Sequence, residues 1–157
     1  MELSKILSVA TAPAQHRYES AELLSFMDRF IDDPIALRKL KFIWRESGIQ
    51  SKHSVLPDFK EGHVGRLFTD LASQPTTKAR MDIFESESLA LGSQVASKAI
   101  SDAHIRPDDI DAIITVSCTG MSAPGLEIQL AESLGLRKDI DRHAVNFMGC
   151  YAAFHGM

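Results

Sequence analysis

Cysteine is scarce in this chain: there are two among 157 residues, and neither sits in a Cys-x-x-Cys pair or beside a His-x-x-x-His spacing. A disulfide scaffold is thereby excluded, and a structural metal has no ligand set of the usual spacing. Excess charge of one sign is also lacking. Seventeen Lys and Arg stand against 21 Asp and Glu, for a formal net charge of −4 with both signs spread along the sequence. That balance offers no basic footprint for nucleic acid or for an anionic membrane. No apolar run approaches the roughly 20 residues that span a bilayer. Neither a Gly-x-Gly-x-x-Gly run nor a Gly-x-x-x-x-Gly-Lys phosphate loop occurs, and the start has no secretory-signal pattern. The expectation is a cytoplasmic protein that uses no metal and no cofactor and meets neither nucleic acid nor membrane.

What is present is a globular composition, 45% hydrophobic and 24% charged, in a chain long enough for one ordinary domain. Lys5 to Ala10 is a short apolar run before Pro13 and reads as a buried strand. Ser20 reads as an N-cap, followed by a helix face of Leu23, Leu24, Met27, Phe30 and Ile31. Pro34 opens a second helix with Leu37, Leu40, Ile43 and Trp44 on one face, and Gly48 ends it. The stretch from Gln50 to Thr77 is loop-rich, with one short helix near Val64–Leu71. A long helix covers about 79–103, and its small residues Ala90, Gly92, Ser93 and Ala96 permit close approach of a neighbour. After a turn at Pro107, Ala112 to Val116 reads as a fully buried strand. A loop from Ser117 to Gly125 leads to a helix closed by Gly135, then to a second buried strand, Ala144 to Met148. Strand, helix, strand, helix at this rhythm predicts an α/β layered fold with a mostly parallel or mixed sheet.

The junction from Phe147 to Tyr151 is the most informative local feature. Gly149 allows a sharp turn, so Cys150 falls between the carboxyl end of a strand and the amino end of a helix. Ligands in open α/β sheets gather at that end of the strands. Unpaired backbone N–H groups there favour a thiolate and could also stabilise an oxyanion during acyl transfer. A buried, inert cysteine fits the local pattern as well. No histidine is positioned as its base. His155 lies about 140° around the helix, and His143 lies upstream along the strand. Cys118 ends its own strand as Cys150 does and could line the same crevice, or simply pack beneath a loop.

Several segments together resemble the chalcone-synthase-like type III polyketide synthases, within the thiolase-fold condensing enzymes. The opening Ile6 to Pro13, Ser47-Gly48-Ile49 with Lys52-His53, and Ala79-Arg80-Met81 at the head of the long helix are similar to the family's N-terminal half. So are Thr115 to Gly125, ending in Pro-Gly, and Gln129 to Arg137, carrying Leu-Gly-Leu-Arg. Gly149-Cys150 falls where the family has its nucleophile. The resemblance implies that Cys150 takes an acyl group from an acyl-CoA. Malonyl-CoA is then decarboxylated, and its enolate lengthens the bound acyl group. It also implies that Cys118 and Thr119 line the acyl pocket, that Ala123 reaches toward the partner subunit of a homodimer, and that Lys52 is a candidate for a CoA phosphate contact.

The sequence departs from the family's plant members around the nucleophile. Phe147-Met148 stand for Gln-Gln, and Ala153-Phe154 stand where those members have two glycines, which points to a divergent, bacterial-type enzyme. The family's catalytic His and Asn belong to its second half. Residues 1–157 are therefore expected to be an N-terminal thiolase-like domain cut just past its nucleophile, with the C-terminal half absent and the fragment inactive alone. A β-ketoacyl synthase III, an HMG-CoA-synthase-like enzyme, a Cys-dependent thioesterase and a non-catalytic truncated module are the competing expectations.

Overall fold

The structure, a computed structural model, describes residues 4–60, 62, 65–70 and 74–157. The chain divides into two compact units, Pro13–Arg80, and Met1–Ala12 with Met81–Met157.

In the Pro13–Arg80 unit, β1 (His16–Glu19) and β2 (Ser51–Ser54) pair antiparallel, with Tyr18 opposite Lys52. Neither strand was evident in the sequence: each is four residues long and mostly polar, too short for an alternation to register. Helix α1 (Ser20–Asp28) begins one residue earlier than a Ser20 cap implies. Glu19 is the N-cap, and the Glu22 carboxylate accepts its N–H at 2.8 Å, while Ser20 Oγ donates to the Ile49 carbonyl instead. Because α1 stops at Asp28, Phe30 and Ile31 fall beyond the helix, and Leu23 and Phe26 are the residues it buries.

Helix α2 (Pro34–Glu46) follows the expected rules. Asp33 caps it by accepting from Ile35 N–H at 2.8 Å, Pro34 occupies its first turn, and Gly48 follows with φ +69°. It buries no residue fully. Leu37, Leu40 and Trp44 are half-buried, whereas Ile43, expected beside them, is 64% exposed.

The core of this unit is aromatic. Phe26 packs edge-on against Phe59 and Phe68 with ring centroids 4.9 and 5.1 Å apart, and Tyr18 meets Phe59 at 5.4 Å. Buried Asp58 accepts the N–H groups of Leu67 and Phe68, both at 2.7 Å, which fixes the turn carrying Phe68. The helix expected near Val64–Leu71 has its end residues outside the described set, and residues 65–70 form bends rather than helix.

The second unit is built on α3 (Thr77–Asp102), β3 (Ala112–Ser117), α4 (Leu126–Ser133), β4 (Asp141–Asn146) and α5 (Ala152–His155). The strands pair in parallel, from Ala112 opposite Asp141 to Ser117 opposite Asn146. This confirms the parallel arrangement expected of the pattern, with two corrections. β3 is not buried on both faces: its burial alternates, leaving Ile114 and Val116 44% and 39% exposed. β4 starts three residues earlier than Ala144 and ends before Phe147.

The small residues of α3 do what their size allows. A Cβ on Gly92 would lie 3.0 Å from Leu130 Cδ2, so α4 approaches closely there, and Leu130 and Ala131 are buried. Residues 4–14 form no strand, contrary to the reading of Lys5–Ala10. Ile6 and Val9 are 83% and 80% exposed, and the segment is tied by Ser8 Oγ donating to Ala99 O at 2.7 Å. Apolar content alone does not make a strand, because backbone N–H and C=O groups need a neighbouring strand to pair with. The segment has none among the described residues.

Two helix ends here are closed by the same device. After α4, Gly135 (φ +66°) donates to Glu132 O at 3.1 Å and Leu136 to Ala131 O at 2.9 Å, the paired bonds of a Schellman motif. After α3 the same two bonds run from His104 to Ser101 O and from Ile105 to Ile100 O, at 3.1 and 3.4 Å, but with a histidine at φ +56°. A side chain in that region carries a conformational cost of about 1 kcal/mol that glycine does not. His104→Gly is therefore expected to raise the unfolding free energy by about 1 kcal/mol, read from the urea midpoint at unchanged slope.

Between α3 and β3, Arg106 donates from Nε and Nη2 to the Asp109 carboxylate at 3.2 and 2.8 Å, and from its own N–H at 3.0 Å. These bonds, the side-chain ones foremost, hold Asp109 at a pKa of about 2. A carboxyl lowered on folding stabilises the fold above its unfolded value, and that contribution is lost as pH falls toward 2. An NMR titration is expected to show Asp109 near 2 in the native chain and raised in Arg106→Gln, though still below the ordinary value of about 3.9 because the backbone bond remains.

Candidate active site

The parallel register brings the carboxyl ends of β3 and β4 side by side, with Ser117 opposite Asn146. The next bond continues it: Phe147 N–H donates to Ser117 O at 3.0 Å. At the other end of the pair, Asp141 N–H donates to Asp111 O at 2.9 Å. Arg137 also donates from Nη2 to Asp111 Oδ1 at 2.6 Å and to Ile110 O at 3.4 Å. The Leu-Gly-Leu-Arg run thus does structural work: its glycine closes α4 and its arginine locks the entry to β4 against the start of β3.

Beyond Asn146 the chain reverses sharply. Phe147 and Gly149 both adopt left-handed backbone, φ +59° and +70°, on either side of Met148. Cys150 follows in a turn closed by Ala152 N–H to Gly149 O at 3.0 Å and Ala153 N–H to Cys150 O at 3.4 Å. Helix α5 begins two residues later and is a single turn; its Ala152 is completely buried, and Gly156 sits so close to Val116 that an added Cβ would lie 2.8 Å from Val116 Cγ2. The result is an anchored elbow with an exposed thiol, since Cys150 is free and exposed. Cys150 is therefore not buried, contrary to the packed alternative.

On the other strand end, Cys118 is likewise free and exposed, and Thr119 N–H contacts Ser117 Oγ at 3.4 Å. Ala123 is exposed in the loop before Pro124 and Gly125. The tertiary structure therefore places Cys118, Thr119, Ala123 and Cys150 on the loops that leave one end of the sheet. Beside them is a cavity of about 260 Å³, walled by Thr115 and Ser117 of β3, Ala144 and Asn146 of β4, Phe84 of α3 and Ser122 of the loop. Cys118, Thr119, Ala123 and Cys150 are all outside that lining. The signal for the cavity face was Thr115 and Ser117, polar at alternate positions of an otherwise apolar strand. The loop is held down by Gln129 Nε2, which donates to Ser122 Oγ at 3.1 Å and Pro124 O at 2.8 Å, and by Gly120, whose Cα faces the Phe84 ring with no room for a Cβ.

Among the described residues, neither histidine nearest Cys150 in sequence is recorded in a hydrogen bond to it. The His155 ring packs edge-on against Tyr151 at 4.6 Å, and His143 lies on β4 in register with Ile114. Among the described residues no cluster of His, Cys, Asp and Glu is able to hold a metal, and no helix is long and apolar enough to cross a membrane. Lys52 belongs to the Pro13–Arg80 unit, where its Nζ lies 4.9 Å from the Trp44 ring centroid.

Residues 4–157 match the family model for the chalcone and stilbene synthases, N-terminal domain. The chain belongs to this family. It is 28% identical over 155 residues to the 1,3,6,8-tetrahydroxynaphthalene synthase of Streptomyces peucetius subsp. caesius, which covers 98% of this chain and 38% of that enzyme. The acylalkylpyrone synthase CsyB of Aspergillus oryzae is 26% identical over 153 residues, 97% of this chain and 37% of that protein.

Among solved structures, PKS-I of the brown alga Ectocarpus siliculosus superposes with a TM-score of 0.83 at 31% identity, covering 96% of this chain and 41% of that one. The chain thus has the thiolase-like layered fold of the type III polyketide synthases, and it spans about two fifths of the length of the curated relatives it matches.

The left-handed elbow generates a direct test. Nothing lies within 4 Å of a Cβ built on Gly149, so its requirement is conformational alone. Gly149→Ala is expected to cost about 1–2 kcal/mol, while Phe147→Gly is expected to gain about 1 kcal/mol by removing the same cost, both measured by urea unfolding.

Proposed function

We propose that this chain supplies the acyl-accepting half of a type III polyketide synthase. Cys150 is the nucleophile, Cys118 and Thr119 line the acyl pocket, and Ala123 faces the partner subunit of a homodimer. The observation that carries the proposal is the exposed Cys150 on an elbow with two left-handed residues, in a chain that belongs to this family. The thiolate attacks the thioester carbonyl of an acyl-CoA, the acyl–sulfur bond forms, and the CoA thiolate leaves. Malonyl-CoA then loses carbon dioxide, the released electron pair forms an enolate, and its attack on the acyl carbonyl regenerates the Cys150 thiolate.

In the family this condensation also uses a His and an Asn of the second half, so residues 1–157 are proposed to supply the acyl-accepting cysteine and not the whole condensing machinery. Lys52 is proposed to contact a CoA phosphate. CsyB, solved with CoA-SH at 25% identity and a TM-score of 0.79, lends support to a CoA thioester as the donor. Two free cysteines accord with a reducing, cytoplasmic setting.

Incubation with octanoyl-CoA followed by peptide mass spectrometry is expected to place one octanoyl group on Cys150. Cys150→Ser should abolish the adduct, and iodoacetamide should label Cys150 faster than Cys118. Loading that survives Cys150→Ser, or that falls on Cys118, overturns the assignment.

A further inference from the structure

Helix α2 is apolar on two opposite sides, and the fold uses one of them. At about 100° per residue, Leu37, Leu40 and Trp44 share the half-buried side, where they line hollows with Phe26 and Phe68 of the aromatic core. Ile35, Phe42 and Ile43 project from the other side, each more than half exposed. Arg38, Lys39 and Arg45 flank them there, also exposed. The Arg45 guanidinium lies 5.5 Å from the Phe42 ring centroid and its Nε donates to Glu46 at 3.0 Å. The ion pairs of this helix belong to Lys41, with Asp28, and to Arg45; Arg38 and Lys39 have none among the described residues. Four cations thus stand against one carboxylate in 13 residues, within a chain whose net charge is −4. The whole-chain balance averages this helix away.

Exposed apolar side chains gain free energy when they leave water, whereas Lys and Arg lay their stems along apolar surface and keep their charge at its wet edge. Arg38 and Lys39 do this with Phe42 and Ile43, the four enclosing a shallow hollow. Apolar residues at the centre of a helix face with cations beside them suit the plane of a membrane interface. From this arrangement we infer that the outward face of α2 docks on an anionic lipid surface. Ile35, Phe42 and Ile43 enter the boundary between headgroups and acyl chains, and Arg38, Lys39 and Arg45 pair with the lipid anions. The helix lies on the membrane and does not span it. An acidic protein would answer the cations as well, but it would need a groove shaped to three side chains on a convex helix, and a lipid surface needs none. Docking makes no use of the Cys150 thiol.

Co-sedimentation of the full chain with vesicles tests this. Vesicles of equal parts phosphatidylcholine and phosphatidylserine are expected to bind it at least about tenfold more tightly than phosphatidylcholine alone, since each cation near an anionic surface contributes about fivefold. Added salt should weaken that binding. The pair Arg38→Gln and Lys39→Gln should lower it about tenfold or more, and so should the pair Phe42→Gln and Ile43→Gln, by removing the apolar area that enters the lipid. All four residues are exposed, so an unchanged far-UV spectrum is expected of both variants. Lys138→Gln, at an exposed lysine of the other unit, should bind as the native chain does. Cys150→Ser should do the same, which separates this proposal from acyl loading. Absence of vesicle binding, equal binding to the two compositions, or native binding by either double variant overturns the inference. Capture by immobilised polyglutamate with none by vesicles also overturns it and assigns the face to an acidic protein.

Discussion

The parallel pairing of β3 with β4 is the constraint on which the candidate site depends. Parallel strands leave a sheet in the same direction, so the loops that follow them emerge on one edge, and residues far apart in sequence become neighbours there. Cys118 and Cys150, 32 positions apart, share that edge only because Ser117 stands opposite Asn146. Slipping the register by one residue would turn Thr115 and Ser117 away from the cavity and rotate the elbow with them. The register is set at its entry by Arg137 on Asp111 and at its exit by Phe147 N–H on Ser117 O.

Around that pair the chain tolerates local backbone cost where geometry demands it. Phe147 and His104 are the non-glycine residues described with positive φ, and they have different roles. His104 completes a Schellman closure that glycine performs at Gly135. Phe147 turns the chain out of β4 so that Gly149 can deliver Cys150. Strain of this kind persists where the surroundings over-determine it. Here the fixed points are the Ser117 bond before the elbow and buried Ala152 after it.

The motifs that suggested the family divide between scaffold and chemistry once seen in three dimensions. Leu-Gly-Leu-Arg closes a helix and clamps a strand, and the Ser117–Gly125 loop is held by Gln129 and by the contact of Gly120 with Phe84. Gly149-Cys150 carries the proposed nucleophile. Lys52, grouped with the site by resemblance, stacks on Trp44 in the other unit. The overall balance of −4 says nothing about where a single cation of this kind stands.

Residue periodicity and punctuation were enough to locate the long helices. Pro34, Gly48 and Gly135 mark ends by fixing or freeing φ, and α2 and α4 end close to where those residues place them. The alternation of strands and helices carried the parallel sheet, and Gly149-Cys150 carried the candidate nucleophile. Long-range pairing decided the remainder. Lys5–Ala10 has strand composition but no neighbouring strand, whereas His16–Glu19 and Ser51–Ser54 have little strand character yet pair with each other. Burial of β3 on one face and the cavity beside Thr115 and Ser117 depend on which elements pack together. A linear sequence records local conformational preference, but it does not record which surfaces meet.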